Sequence, residues 1–356
     1  MNFDIKNNRE RLKAKNKFDG NLRYGAAKFH SQTNRSGKGK PSDGGVIREH
    51  AKLLKKNEFD QYSRIEEFWE EVEGCPVCGD SNSLFFLKRY GLEIWRCNNC
   101  SHRFLNPRVK FDKACELYAD DKTASDIYLQ PLQKDIDRDK YLYGLNIIKQ
   151  LSPPSQNLIM DLGCGAGVFV EEASKFGWQS CIGVDSNERY SNHYQNIQGI
   201  QYLQSTFESL DYENLGTNYD CITMWNVLEH IYDLKMIILS IKKLLRKNGL
   251  FFVMVPNIES LASRLIREKS PTFAWKHVSH FSAGSLKFLL KKNGFECIHL
   301  ETVISEIDNI KSYMSGEYPY HGYGDPLNLF DFITPEYLHN NFLGSRLLGV
   351  FRKVVN

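Results

Sequence analysis

The sequence predicts an α/β protein: a doubly wound parallel sheet behind a small cysteine-bearing N-terminal module. Three observations carry this. From residue 157 onward, apolar strand-like runs alternate with helical patterns, and such alternation builds a parallel sheet with helices on its faces. A glycine-rich turn, 161-DLGCGAG-167, joins the first apolar run to the first helix. Four of the nine cysteines form two close pairs, Cys75/Cys78 and Cys97/Cys100, ahead of the alternating region. The 356 residues suffice for one full domain of this kind with appendages.

The organisation follows in chain order. Residues 1–57 are a basic arm with 15 Lys/Arg against 5 Asp/Glu, about +10, whereas the remainder holds 31 against 38, about −7. The arm lacks sustained periodicity and contains SGKGKPSDGG, so it reads as a solvated, flexible extension. The sharper alternative is a tether to nucleic acid, a membrane surface or a protein partner. Residues 58–110 read as a short helix over 58–72, with Ile65, Phe68, Trp69 and Val72 on one face, followed by the cysteine ribbon. Residues 111–155 read as a helical lid broken near Pro131 and closed by Pro153 and Pro154.

Residues 156–304 carry the alternation. NLIMDLG, SCIGVD, IQYLQS, YDCITMW, GLFFVMVP and FECIHLETV read as strands. VFVEEASKFG, ERYSNHYQ, DLKMIILSIKKLLRKNG and SLKFLLKKNG read as helices, the last two with basic ends and a terminal Gly. The extension 305–356 is aromatic-rich, and its run NNFLGSRLLGVFRKVVN reads as helix.

Composition sets the class. The chain is 42% hydrophobic and 25% charged, as in soluble globular proteins. No stretch reaches the ~18 apolar residues of a membrane span, and the start MNFDIKNNRERLKAK is too polar for a secretory signal. The expectation is a cytoplasmic protein. Cys115, Cys164, Cys181, Cys221 and Cys297 are scattered singly, which argues against a disulfide framework and for a reducing compartment.

The cysteine pairs read C-x2-C-x18-C-x2-C. Four thiolates on two knuckles make a tetrahedral zinc site, and with every position filled by protein the zinc is structural. A redox role is the weaker alternative. The segment has too small a core to fold unaided, so metal would supply folding free energy. His102 supports the site from behind or is simply exposed.

The glycine turn excludes two ligand classes. Gly163, Gly165 and Gly167 are spaced G-x-G-x-G, and Val168 stands where a dinucleotide fingerprint has its third Gly. No Lys-Ser/Thr follows, so the turn is not a P-loop. Its bare backbone still lets a ligand approach closely at a strand-to-helix turn. Asp161 precedes the glycines and can meet a cation. Asp185 closes the next strand, where a carboxylate can accept from both ribose hydroxyls. A ribose plus a cationic group describes S-adenosylmethionine, with its α-ammonium and sulfonium.

DLGCGAG, GVD, YDCITMWNVLEHI and GLFFVMVPN together resemble the class I S-adenosylmethionine-dependent methyltransferases over roughly 157–304. HVSHFSAGSLKFLLKKNGFE resembles the closing segment of their small-molecule and sugar branch. The resemblance implies a Rossmann-like sheet. It places Asp161, Gly163, Gly165 and Gly167 on the methionine and ribose side, and Asp185 on the ribose. It puts Thr206 and Phe207 near adenine, and Trp225 and Asn226 beside the methionyl part. CPVCG and WRCNNCSHRFLNP ahead of such a domain resemble many bacterial proteins that tailor sugars, surface polysaccharides or small metabolites. One departure stands out. The family usually ends its sheet with an antiparallel seventh strand, and here a helix is read instead, so a shortened or rebuilt sheet is expected.

Methyl transfer is an in-line displacement in which alignment supplies much of the rate. A hydroxyl acceptor still needs a base, and His serves best near neutral pH. His230, with Glu229 beside it in VLEH, and His280 in WKHVSHF are the catalytic candidates, each with a structural role as the alternative. Glu229 orients His230 or faces a helix N-terminus; a divalent metal held by Glu229 and His230, as the resemblance allows, is the weaker alternative, since no second carboxylate stands at proper spacing. His277 reads as a rim residue. Tyr128, Tyr141 and Tyr143 read as aromatic core or as cofactor lid, and Cys164 as a small residue that fits its loop. The leading function is methylation of a sugar-like small molecule. The alternatives are an RNA methyltransferase using the ribbon and basic arm, and a non-catalytic scaffold of the same fold.

Overall fold

A computed structural model describes residues 68–89, 91–120, 131–151, 157–190, 199–270, 272–306 and 333–354. The basic arm, Tyr128 and residues 58–67 of the expected first helix lie outside the described residues. The chain divides into two units. One draws on residues 1–114, 256–284 and 301–347, the other on residues 115–255, 285–300 and 348–356.

The first unit begins with short strands: β1 (Trp69–Glu70), β2 (Ser83–Arg89), β3 (Leu92–Cys97), β4 (Arg103–Leu105) and β5 (Arg108–Val109). The expected helix over 58–72 therefore gives way at its end. Trp69 and Glu70 pair antiparallel with Val109 and Arg108, and the Arg108 guanidinium donates to the Glu70 carboxylate at 2.6 Å. Aromatic Phe68 and Trp69 suit a strand as well as a helix, and pairing decides.

The second unit holds most of the alternating region. Helix α1 (Phe111–Asp120) leads into it, and α2 (Pro131–Leu151) opens on a proline, the residue that loses nothing at a first helical position. Then come β6 (Leu158–Leu162), α3 (Val168–Lys175), β7 (Ser180–Asp185), β8 (Ile200–Gln204), β9 (Tyr219–Trp225), α4 (Leu234–Leu244) and β10 (Leu245–Pro256). Strand β9 is buried along its whole length, as a central parallel strand must be. Glu188–Tyr190 forms a 3-10 turn where a helix was expected over ERYSNHYQ, and residues 191–198 lie outside the described residues. Helix α4 also ends earlier than its pattern suggests. Leu245 leaves helical geometry, and the strand runs back to it through a register shift before Leu250. Asn248 carries the turn at φ 60°.

The chain continues through α5 (Leu261–Ile266), β11 (Ser279–His280), α6 (Ala283–Lys292), β12 (Phe295–Val303), α7 (Pro335–Asn340) and β13 (Arg346–Lys353). Within the first unit β11 adds to the ribbon, giving a four-stranded sheet in the order β11-β4-β3-β2. The second sheet has the order β12-β13-β10-β9-β6-β7-β8. Strands β10, β9, β6, β7 and β8 are mutually parallel.

The seventh strand corrects an expectation. RLLGVFRK is β13, inserted between β12 and β10, and not a helix. Leu347, Leu348, Val350 and Phe351 are all buried. A run covered on both faces loses the alternation that marks a strand, and pattern alone cannot separate it from helix. The sheet therefore has seven strands in a Rossmann-like, doubly wound arrangement. Chain order reverses between β6 and β9, and the crevice at such a switch point is where ligands bind in open α/β sheets.

Candidate functional site

The glycine turn sits at that switch point. The Gly163 and Cys164 N–H groups both donate to the Val184 carbonyl, at 2.7 and 3.0 Å, tying the turn to β7. Gly163 has φ 81°, and a Cβ there would run into Val227. Gly165 has φ 50°, yet among the described residues nothing lies within 4 Å of the place its Cβ would take. One glycine is needed for packing, the other leaves room for a ligand. Gly167 then caps α3.

Two carboxylates flank the turn. Asp185, at the end of β7, accepts from the Gly165 N–H at 2.9 Å through one oxygen and from the Asn187 N–H at 3.0 Å through the other. Each oxygen retains acceptor capacity for a hydroxyl. Burial raises the Asp185 pKa, and the Asn187, Gly165 and Ser186 N–H groups oppose that. Asp161, near the end of β6, is 2% exposed and accepts from the Thr223 hydroxyl at 2.6 Å. Burial pushes its carboxyl from 3.8 up to about 8 against the Thr223 bond. A buried acid of this kind favours a cationic ligand, which would stabilise its charged form.

The remaining predicted cofactor residues spread along the same strand ends. Ser205 N–H donates to the Asp185 carbonyl at 3.0 Å, so Thr206 and Phe207 leave the sheet beside Asp185. Thr206 caps the turn that follows, its hydroxyl oxygen accepting from the Ser209 N–H. Trp225 ends β9, but its ring lies among Tyr141, Phe169 and Phe252, with centroids 4.9, 5.3 and 4.4 Å away. Its indole is thus part of an aromatic core, as is Tyr141. Tyr143 is buried as well. Asn226 follows with φ 56°, and its buried side-chain oxygen has no hydrogen-bond partner among the described residues. That orphaned acceptor, the open space over Gly165 and the buried acid Asp161 are the features that an ammonium- and ribose-bearing ligand such as S-adenosylmethionine would satisfy.

The 3-10 turn Leu228–His230 follows β9. The Glu229 side chain is 2% exposed and its carboxylate lies 3.9 Å from His230 Nε2. On the other side of the ring, the Tyr118 hydroxyl is 3.0 Å from His230 Nδ1.

The first unit brings the four cysteines together. Sγ atoms of Cys75 and Cys100, and of Cys78 and Cys97, are 3.5 Å apart, and all four lie within 4.8 Å of one another. Four sulfurs bound to one zinc at ~2.3 Å stand ~3.8 Å apart, so the cluster has the size of that site. The two knuckles share one design. Gly79 N–H returns to the Cys75 carbonyl and Ser101 N–H to the Cys97 carbonyl, and both residues have positive φ. The Cys100 thiol holds Cys75 down to about 6, and Cys75 pushes Cys100 up.

His102 is fully buried, not exposed. Its Nε2 is 3.3 Å from the Ser279 hydroxyl and its ring stacks on Phe104. His280 is also buried, and neither ring nitrogen has a hydrogen-bond partner among the described residues. Burial, then the Arg103 charge, lowers its pKa to about 3. His277 is half-buried and bonds the Thr272 carbonyl through Nδ1 at 2.7 Å.

Sequence reading missed three residues. Thr223 holds Asp161, and its one signal was a hydroxyl inside the otherwise apolar YDCITMW; the pairing of Asp161 with Thr223 appears only once strand register is known. Gly144 in α2 gives way to the Trp225 ring, which a Cβ would strike. Tyr118 reaches His230 across 112 residues.

Residues 137–300 match a family model described as a methyltransferase domain. The chain is 34% identical over 110 residues to a ubiquinone biosynthesis O-methyltransferase of Bartonella tribocorum, covering 29% of this chain and 43% of that protein. Its namesake from Bartonella quintana is 25% identical over 228 residues, covering 60% of this chain and 84% of that protein. The chain spans about two fifths of the length of the first curated relatives it matches. Among solved structures, an S-adenosylmethionine-dependent methyltransferase from Mesorhizobium loti superposes with a TM-score of 0.40 at 17% identity, over 58% of this chain and 96% of that one.

Proposed function

We propose, from the premise that residues 137–300 form a methyltransferase domain, that this protein is an enzyme moving a methyl group from S-adenosylmethionine to an oxygen of a small molecule. The observation that carries the proposal is the glycine turn at the switch point, with Asp185 bound to it on one side and buried Asp161 on the other. In this reading Asp185 accepts from the ribose diol, and Asp161 meets the α-ammonium. Asn226 offers its side-chain oxygen to the methionyl end, while Thr206 and Phe207 border the adenine. Bound there, the cofactor supplies a methyl group on a sulfonium that leaves as a neutral sulfide.

His230 is the group we assign to proton uptake from the acceptor, with the Glu229 carboxylate beside it to stabilise the imidazolium. We assign His280 a different part. A buried neutral imidazole whose two nitrogens have no partner among the described residues is a weak base but a good hydrogen-bonding partner for a polar ligand. The four-cysteine cluster would hold zinc and stabilise the ribbon without entering the chemistry.

Two acceptor classes merit testing. The family resemblance of WKHVSHF points to a sugar-like acceptor. The relatives named for ubiquinone biosynthesis favour a ring hydroxyl. Incubation with S-[methyl-³H]-adenosylmethionine and separate pools of nucleotide sugars, phenolic acceptors and RNA decides between them. Label in either pool, dependent on His230, supports the enzyme. Label in RNA alone would replace the proposal with the RNA reading.

A further inference from the structure

We infer that His230 meets an acceptor through the Tyr118 hydroxyl, as the middle member of a Glu229–His230–Tyr118 proton chain. The inference rests on the methyltransferase reading above and deepens it. Its basis is the placement of the ring, hydrogen-bonded to Tyr118 through Nδ1 and with the Glu229 carboxylate near Nε2 but beyond hydrogen-bond length. The Glu229 carboxylate, 3.9 Å from Nε2, favours a proton on that nitrogen. Nδ1 is then the basic nitrogen, and it accepts from the Tyr118 O–H at 3.0 Å. The two rings are nearly perpendicular, centroids 6.1 Å apart at 85°.

Exposure rises along the chain. The Glu229 side chain is 2% exposed, that of His230 is 27% exposed, and Tyr118 is 39% exposed. A buried carboxylate, an intermediate imidazole and an outer hydroxyl follow the logic of a carboxylate–His–hydroxyl triad, in which the carboxylate fixes the tautomer and stabilises the imidazolium. Here the outer member is a phenol. It relays a proton and forms no covalent intermediate.

The step balances. The acceptor O–H bond breaks and its proton joins Tyr118 Oη, while the Tyr118 proton passes to His230 Nδ1. The acceptor oxygen uses the freed electron pair for its new bond to the methyl carbon. The proton ends on an imidazolium beside Glu229, and Tyr118 is regenerated neutral. No oxidant or reductant takes part.

Two measurements on the full chain test this. In ¹⁵N-histidine-labelled protein the His230 resonances report the tautomer. The inference expects Nε2 protonated and Nδ1 accepting, with the Nδ1 signal moving in Tyr118→Phe. A resting Nδ1–H tautomer, with the ring donating to Tyr118, would overturn it. In turnover, Tyr118→Phe should lower kcat by about 10²-fold with S-adenosylhomocysteine affinity kept within about threefold. The double variant with His230→Gln should be no slower than the worse single one, since groups acting as a unit are non-additive. A Tyr118→Phe enzyme keeping more than half of wild-type kcat would overturn the relay. Failure of the wild-type chain to bind S-adenosylhomocysteine would sink the methyltransferase reading instead, while the tautomer would still decide the hydrogen-bond arrangement.

Discussion

Replacing Asp161 with Asn should make the ligand-free protein more stable and the cofactor complex weaker. Asp161 is buried, and its carboxyl titrates near 8 in place of 3.8. Below about pH 4 both folded and unfolded chains hold that proton, and the residue carries no penalty. As pH rises from 4 to 8 the unfolded chain ionises first, so stability falls; above 8 the loss is complete. One pKa step is worth about 1.4 kcal/mol, which sets a ceiling of about 4 kcal/mol at pH 7. Asn keeps an oxygen to accept the Thr223 hydroxyl and removes the titration. Urea unfolding at pH 5, 7 and 8.5 should show a stability gain for Asp161→Asn that grows with pH. The same variant should lose about 1.5–3 kcal/mol of S-adenosylhomocysteine affinity, the worth of a hydrogen bond to a charged group. Wild-type binding at pH 7 should also release a proton, visible in calorimetry as heat that depends on the buffer. A variant destabilised at every pH, with unchanged affinity, would refute the assignment of Asp161 to a cation.

Three further outcomes follow from the packing. Gly165→Ala should cost about 1–2 kcal/mol of stability for its positive φ yet sharply reduce S-adenosylhomocysteine binding, because its methyl points into the open side of the turn; Gly144→Ala should instead lower the melting temperature, because its methyl meets the Trp225 ring. Asp220 accepts from the Arg246 guanidinium at 2.5 Å and from the Asn157 and Leu158 N–H groups at 3.0 Å, so Asp220→Ala should destabilise the chain by about 3 kcal/mol in urea unfolding without altering cofactor affinity. Purified protein should carry one zinc per chain by elemental analysis, and Cys97→Ser or strong chelation should remove it and expose the ribbon to protease.

Much of this was legible in the sequence for a physical reason. The glycine turn, the strand ends at Asp161 and Asp185 and the cysteine knuckles are local patterns, and local sterics and ligand spacing constrain them. What escaped depends on tertiary partners. Strand β13 hid as a helix because burial on both faces erased its alternation. LRKNG looked like the end of a helix until β10 paired with β9 from Leu245 onward. The packing of Trp225 was hidden too, since α2 presents Tyr141 and Gly144 to its ring. Thr223 and Tyr118 matter only through partners 62 and 112 residues away. Among the described residues no helix is long and apolar enough to cross a membrane.

The claim on which the rest depends is that the turn at 163–167 binds S-adenosylmethionine. Calorimetric titration of the full chain with S-adenosylhomocysteine, beside Asp185→Ala, tests it most directly. Micromolar binding at one site, lost in the variant while its fold persists, is the result expected. No binding by folded, zinc-loaded wild-type protein would contradict it and leave the fold serving as a scaffold.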